Sequence, residues 1–214
     1  MYSLVVFDLD GTLLNTLTDL ANAGNYTLRK MGFPEHEIDN YRYFVGNGIP
    51  KLVERILPIN SDDDTKKEAL RKFREFYEAH KEDYTKPYDG VTEMLMKIKE
   101  KGIKTAVVTN KAHEFAEKMV KKYFGELIDF VYGNVEGFPQ KPNPYWVLKA
   151  IQKCQVENKS VLYVGDSGVD MEVALNAEVD SCGVLWGFRD IDELKANGAK
   201  FICFDCNELL NLIL

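Results

Sequence analysis

Long apolar runs are missing from this chain. No stretch approaches the roughly 18 uncharged apolar residues that a membrane-spanning helix requires. Positive charge is in deficit: 27 Lys and Arg stand against 34 Asp and Glu, for a net charge of -7. That balance argues against nucleic acid or an anionic membrane surface as the main partner. The first residues carry neither a charged leader nor a long apolar segment, so a secretory signal is not expected. Cysteine is scarce. Cys154, Cys182, Cys203 and Cys206 are the four, and they are expected to be reduced thiols of a cytoplasmic protein. Cys203 and Cys206 form a C-x-x-C, but no second pair follows to complete a zinc site. They fit a strand residue and a loop residue. Internal repeats and low-complexity segments are absent.

What is present starts at Leu4-Val5-Val6-Phe7-Asp8-Leu9-Asp10-Gly11-Thr12. An unbroken apolar run fits a strand covered on both faces, as in a parallel sheet. In such sheets the ligand crevice lies beyond the carboxyl ends of the strands. Asp8 and Asp10 sit where this strand stops, two residues apart, so in extended backbone both side chains lean the same way. Two neighbouring acids repel unless a cation or a proton relieves them. The strand end therefore has the character of a metal-assisted acid site.

From about Asn15 to Lys86 the pattern is helical, with no convincing strand. Helices are expected from Leu17 to Met31, over 35–44, from Ile49 to Leu57 and after Asp62, around the flexible turn Val45-Gly46-Asn47-Gly48. Beyond Pro87-Tyr88-Asp89-Gly90, helices and strands alternate. Strands are expected at 104–109, 130–132, 161–165, 181–186 and 201–204. Helices are expected at 91–101, 111–124, 144–154, 170–176, 191–197 and 208–213, with Asp190 and Glu193 as a capping box. This alternation gives an α/β fold: a parallel sheet between helical layers, with a helical insertion after the first strand. The lysines at 118, 121 and 122 fit a solvated helix face.

Four signals line up at strand ends or adjoining loops: Asp8-x-Asp10-Gly11-Thr12, Thr109-Asn110, Lys141 in Gln140-Lys141-Pro142, and Gly165-Asp166-Ser167-Gly168-Val169-Asp170. In this order the set resembles the haloacid dehalogenase-like hydrolases, most of them phosphatases with an aspartate nucleophile. The resemblance covers the whole chain. It implies a Rossmann-like three-layer core over 1–14 and 88–214, and a helical cap domain over 15–87. It also implies that the first strand lies between those ending at Thr109 and Asp166.

It further implies roles. Asp8 is the expected nucleophile, forming an aspartyl-phosphate. Asp10 is the expected proton carrier, which calls for a raised pKa. Magnesium is the expected cofactor, held by Asp8, Asp166 and the backbone carbonyl of Asp10, with Asp170 in support. Thr109, Asn110 and amides near Gly11 are the expected phosphate ligands, and Lys141 the counter-charge. The partner is a small phosphorylated metabolite, bound by a monomer or homodimer.

Val45-Gly46-Asn47-Gly48 and Trp186-Gly187-Phe188-Arg189 resemble the phosphoglycolate phosphatase group. Hence a magnesium-dependent phosphomonoesterase, with 2-phosphoglycolate as a candidate substrate, is the leading expectation. A β-phosphoglucomutase-like mutase and a pyrophosphatase are the alternatives, and a non-enzymatic phospho-ligand binder is the reading from another class. Arg189 could steer anions or make a structural ion pair. Lys51 and Arg55 could meet a substrate carboxylate or stay solvated. His113 lacks a serine partner and suggests no triad. Asn15, Phe138 and Glu178 depart from the resemblance: an acid, an arginine and a glycine are frequent there.

Overall fold

Leu4, Val5, Val6 and Phe7 are all fully buried, and they form the central strand of the structure, a computed structural model that describes all 214 residues. In chain order the elements begin with β1 (Leu4–Phe7), β2 (Leu14–Asn15), α1 (Leu17–Lys30), α2 (Tyr41–Phe44), α3 (Gly48–Ile56), α4 (Asp63–His80) and β3 (Lys86–Pro87). Then follow α5 (Val91–Glu100), β4 (Lys104–Ala112), α6 (His113–Tyr123), β5 (Phe130–Asn134), α7 (Tyr145–Cys154) and β6 (Val161–Gly165). The chain closes with α8 (Gly168–Asn176), β7 (Asp180–Val184), α9 (Ile191–Ala196), β8 (Phe201–Cys203) and α10 (Cys206–Ile213). Two compact units result, one of Met1–Leu14 with Pro87–Leu214 and one of Asn15–Lys86.

In the first unit six strands lie in the order β5-β4-β1-β6-β7-β8. Every pairing is parallel. Val5 is in register with Thr105 on one side and Leu162 on the other. The first strand is thus central, as expected. Alternate residues serve opposite faces, the period-two rule of a strand. Val5, Phe7, Val107, Leu162 and Val184 pack with Leu95 and Ile98 of α5, Met119 of α6 and Leu209 of α10. Leu4, Val6, Ala106 and Tyr163 pack with Val147 and Ala150 of α7 and Val173 and Ala174 of α8. Helices on both faces give the three-layer α/β core.

In the second unit, Leu28, Tyr41, Leu52, Ile56, Phe73 and Tyr77 are buried between four helices. A polar network specifies this packing. Asn25 Oδ1 accepts from the Tyr41 hydroxyl at 2.9 Å and from the His36 amide at 3.0 Å. The buried Asp19 carboxylate accepts from the amides of Tyr84 and Thr85 and from the Thr85 hydroxyl.

Several boundaries shift, and one shift has chemical consequences. β4 continues through Ala112 and α6 begins at His113, so Lys111 belongs to the strand end and not to the helix expected there. Between Asp190 and Glu193 only half of the capping box forms: the Glu193 amide donates to Asp190, but the Glu193 carboxylate instead takes the amide of Gly168. Pro144 caps α7 from outside, with Asn143 Oδ1 accepting from the Tyr145 amide.

Candidate active site

The carboxyl ends of β1, β4 and β6 converge, and each delivers a buried polar residue. Asp8 follows β1, and its amide is fixed by the Val164 carbonyl at 2.9 Å. Thr109, Asn110 and Lys111 lie near the end of β4, ahead of Ala112, and Asp166 follows β6. Lys141 comes from the loop before α7, and Asp170 from the first turn of α8. All are buried. The four sequence signals meet in one place.

Lys141 is the hub. Its Nζ lies 2.8 Å from Asp8 Oδ1 and 2.7 Å from Asp170 Oδ1. Burial works against its charge, but Asp170 and Asp8 outweigh burial and hold the lysine pKa well above the ordinary value. Asn110 clasps the same loop: its Oδ1 accepts from the Lys141 amide at 2.9 Å and its Nδ2 donates to the Lys141 carbonyl at 3.3 Å. The Asn110 side chain, expected on phosphate, is thus engaged in holding the lysine.

Asp170 is surrounded by donors. Besides Lys141, Oδ1 accepts from the Tyr163 hydroxyl at 3.2 Å, and Oδ2 accepts from Ser167 Oγ at 2.6 Å and the Ser167 amide at 3.1 Å. Ser167 and Asp170 form a reciprocal capping box that starts α8. Serine and aspartate at that spacing signal the box in the sequence. Tyr163 carries no such signal, because an aromatic residue inside an apolar strand looks like core.

Asp10 faces a different cation. Lys111 Nζ lies 3.0 and 3.2 Å from its two oxygens. The strand ends at Phe7 and the chain bends at Leu9, so the alternation rule no longer orients the two acids. Each has its own lysine. The sequence pattern places Lys111 in the following helix, so nothing local marks it as part of the site.

Asp166 completes the group. Oδ1 accepts from Thr12 Oγ1 at 2.9 Å and Oδ2 from the Phe188 amide at 2.8 Å. Gly11 has φ +93, and a Cβ there would stand 2.3 Å from Asp166 Oδ2, so both torsion and space demand glycine. Burial, then Asp170 and Asp8, push the Asp166 carboxyl up to about 8. Burial likewise pushes Asp8 up to about 6, against the opposing pull of Lys141.

Asp8, Asp166 and Asp170 offer carboxylate oxygens that all lie within 4.8 Å of one another. Three buried acids facing one lysine are short of positive charge. The donors are all hard oxygens, the set preferred by magnesium and unsuited to thiophilic ions. The residues therefore fit a hard divalent cation.

Other candidates lie elsewhere. Arg189 pairs with Glu193 at 3.0 Å. In the helical unit, Lys51 pairs with Glu54, and Arg55 donates to the Phe44 carbonyl and to Asn47 Oδ1, bracing the glycine turn. His113 Nδ1 accepts from the Gly133 amide. Phe138 lies 5.3 Å from the Trp146 ring and 5.8 Å from that of Tyr145. Cys203 closes β8 and Cys206 opens α10, and all four thiols are free.

The sequence profile of the haloacid dehalogenase-like hydrolases matches residues 5–184. The chain belongs to that family. A phosphoglycolate phosphatase of Aquifex aeolicus is 34% identical over 86% of this chain and 85% of its own length. A Caldanaerobacter subterraneus protein provisionally named a pyrophosphatase is 32% identical over 98% and 93% of the two lengths. Among solved structures, a provisionally named phosphoglycolate phosphatase from Lactobacillus delbrueckii superposes with TM-score 0.94 at 28% identity, covering 100% of this chain and 98% of that one. No helix in this hydrolase is long and apolar enough to cross a membrane.

Proposed function

We propose that this hydrolase is a magnesium-dependent phosphatase of a small phosphomonoester, working through an aspartyl-phosphate. The observation that carries the reading is Lys141 bridging Asp8 and Asp170 beside Asp166. A nucleophilic carboxylate, a fixed cation and a cluster of hard oxygen ligands are what in-line attack on an anionic ester requires.

In this reading Asp8 attacks the phosphorus atom, and the P–O bond to the leaving alcohol breaks. Asp10 gives the leaving alkoxide a proton and then removes one from the water that cleaves the acyl phosphate. Lys141 supplies positive charge to the transferring group and stays in line because Asn110 and Asp170 hold it at both ends. Thr109 and amides of the turn before Gly11 receive phosphate oxygens; the Gly11 amide itself, expected there, is held by the Leu14 carbonyl at 2.9 Å. Asp8, Asp166 and the backbone carbonyl of Asp10 would hold magnesium, with Asp170 in support. When bound, the ion supplies charge neutralisation between nucleophile and phosphate. The helical insertion, expected over 15–87 with the core over 1–14 and 88–214 and compact over Asn15–Lys86, would serve as the cap and set specificity. The relatives' names make 2-phosphoglycolate the first substrate to try.

The test is phosphate release from a panel of monoesters with magnesium, with and without EDTA, and with Asp8→Asn. No release from any ester would reject the reading. Pyrophosphate belongs in the panel because the Caldanaerobacter relative carries a pyrophosphatase name. An isomerised sugar phosphate in place of free phosphate would indicate a mutase.

A further inference from the structure

After β7 the chain runs Leu185-Trp186-Gly187-Phe188 back across the strand ends. The Leu185 amide is tied to the Cys203 carbonyl at 3.0 Å, which fixes the start of this loop to β8. Trp186 then donates its indole Nε1–H to the carbonyl of Thr12 at 2.9 Å. Thr12 in turn donates its hydroxyl to Asp166 Oδ1, and the Phe188 amide donates to Asp166 Oδ2. The contacts close a ring: Asp166 to Thr12, Thr12 to Trp186, and two residues later back to Asp166.

Gly187 sits inside that ring. A Cβ at this position would lie 2.2 Å from Asp166 Cβ and 2.5 Å from the Gly11 carbonyl oxygen. Neither neighbour is the movable end of a long side chain, so any side chain at 187 must displace the backbone. Gly187 is not among the glycines with positive φ, so close approach and not torsion requires it. The loop lies directly on the acid and on the turn after the nucleophile.

We propose that Trp186, Gly187 and Phe188 are positioning residues that lock the Asp166 carboxylate and the Asp8–Thr12 turn into the geometry that receives the divalent cation. Each Asp166 oxygen takes one donor from this ring and keeps a lone pair free for another partner. The carboxylate is thereby oriented before any ligand arrives, so binding need not freeze it. Partners of this kind typically change metal affinity by about 10–100-fold when removed. The inference deepens the phosphatase reading and rests on it for the cation's role, but its test does not depend on turnover.

The experiment is calorimetric titration of the purified chain with Mg2+ and with Mn2+, beside far-UV circular dichroism and melting curves. Gly187→Ala is expected to weaken cation binding at least about tenfold while remaining folded. Trp186→Phe keeps the aromatic body, loses the indole donor, and is expected to weaken binding several-fold. Thr12→Val is expected to weaken it and Thr12→Ser to restore it. If Gly187→Ala does not fold, Trp186→Phe and the Thr12 pair decide. Folded variants that bind the cation like the wild type, whatever their melting temperature, overturn the proposal. So does a wild type that binds neither ion. A wild type that binds the cation but releases no phosphate rejects the phosphatase reading alone, and the affinities of the variants still decide the role of the loop.

Discussion

Lys111 places its ammonium 3.0 Å from one oxygen of Asp10 and 3.2 Å from the other, on a side chain that is only 3% exposed. Removing the lysine leaves a largely buried carboxylate without its cation. Lys111→Met is therefore expected to lower stability by about 1–3 kcal/mol in urea unfolding. It is also expected to reduce kcat by about 10²-fold if Asp10 must be held in place to move a proton. Unchanged turnover would mean that Asp10 acts without this pairing.

Lys141 is tied to Asp8, Asp170 and both polar atoms of the Asn110 side chain. Lys141→Met should depress kcat by about 10²–10³-fold, the range for losing one fixed positive donor. Asn110→Ala frees the loop but keeps the charge, so a smaller loss is expected. Steady-state kinetics on the best ester of the panel compare the two, and equal losses would show that the charge is not the main contribution.

The acids make metal binding depend on pH. Asp166 is pushed up to about 8 and Asp8 to about 6, by burial first. The folded protein without metal thus keeps protons that the unfolded chain releases near pH 4. Stability from these groups is complete below about pH 4 and is lost as the pH rises through about 6 and then 8. A divalent cation must displace those protons. The rise in melting temperature on adding magnesium should therefore be small near pH 5 and grow toward about pH 8.5. A rise that is constant across this range would contradict the arrangement.

Glu178 follows α8 with φ +56, in the left-handed region that glycine adopts without strain. A side chain there is strained by about 1 kcal/mol or more. Glu178→Gly should raise stability by about 0.5–1 kcal/mol, part of the relief being offset by the freer unfolded chain. Chemical denaturation checks it, and activity should be unaltered.

Much of this could be seen in the sequence because strands announce themselves by apolar runs and their ends by acids. Leu4–Phe7 and Val161–Gly165 are apolar throughout, so Asp8 and Asp166 fell at strand ends without ambiguity. Three-dimensional partnership was harder to see. Lys111 follows Thr109-Asn110 in a stretch rich in helix formers, and propensity placed it in a helix that tertiary pairing begins two residues later. Nothing local in the sequence shows that the Lys141 main chain lies within reach of Asn110, so phosphate is the expected partner there. Tyr163 was hidden because its ring is core and only its hydroxyl is chemical. Strand order was invisible to periodicity and came only through the resemblance.

Strand order also has a kinetic consequence. β1 is synthesised first but is flanked by β4 and β6, which follow roughly one hundred and one hundred and sixty residues later. No local hairpin can bring Asp8, Lys141 and Asp166 together, and contacts of such sequence separation form slowly. The cation site therefore has no early fragment that resembles it. During folding, acquisition of magnesium affinity should mark the completion of the central sheet, not the appearance of helices.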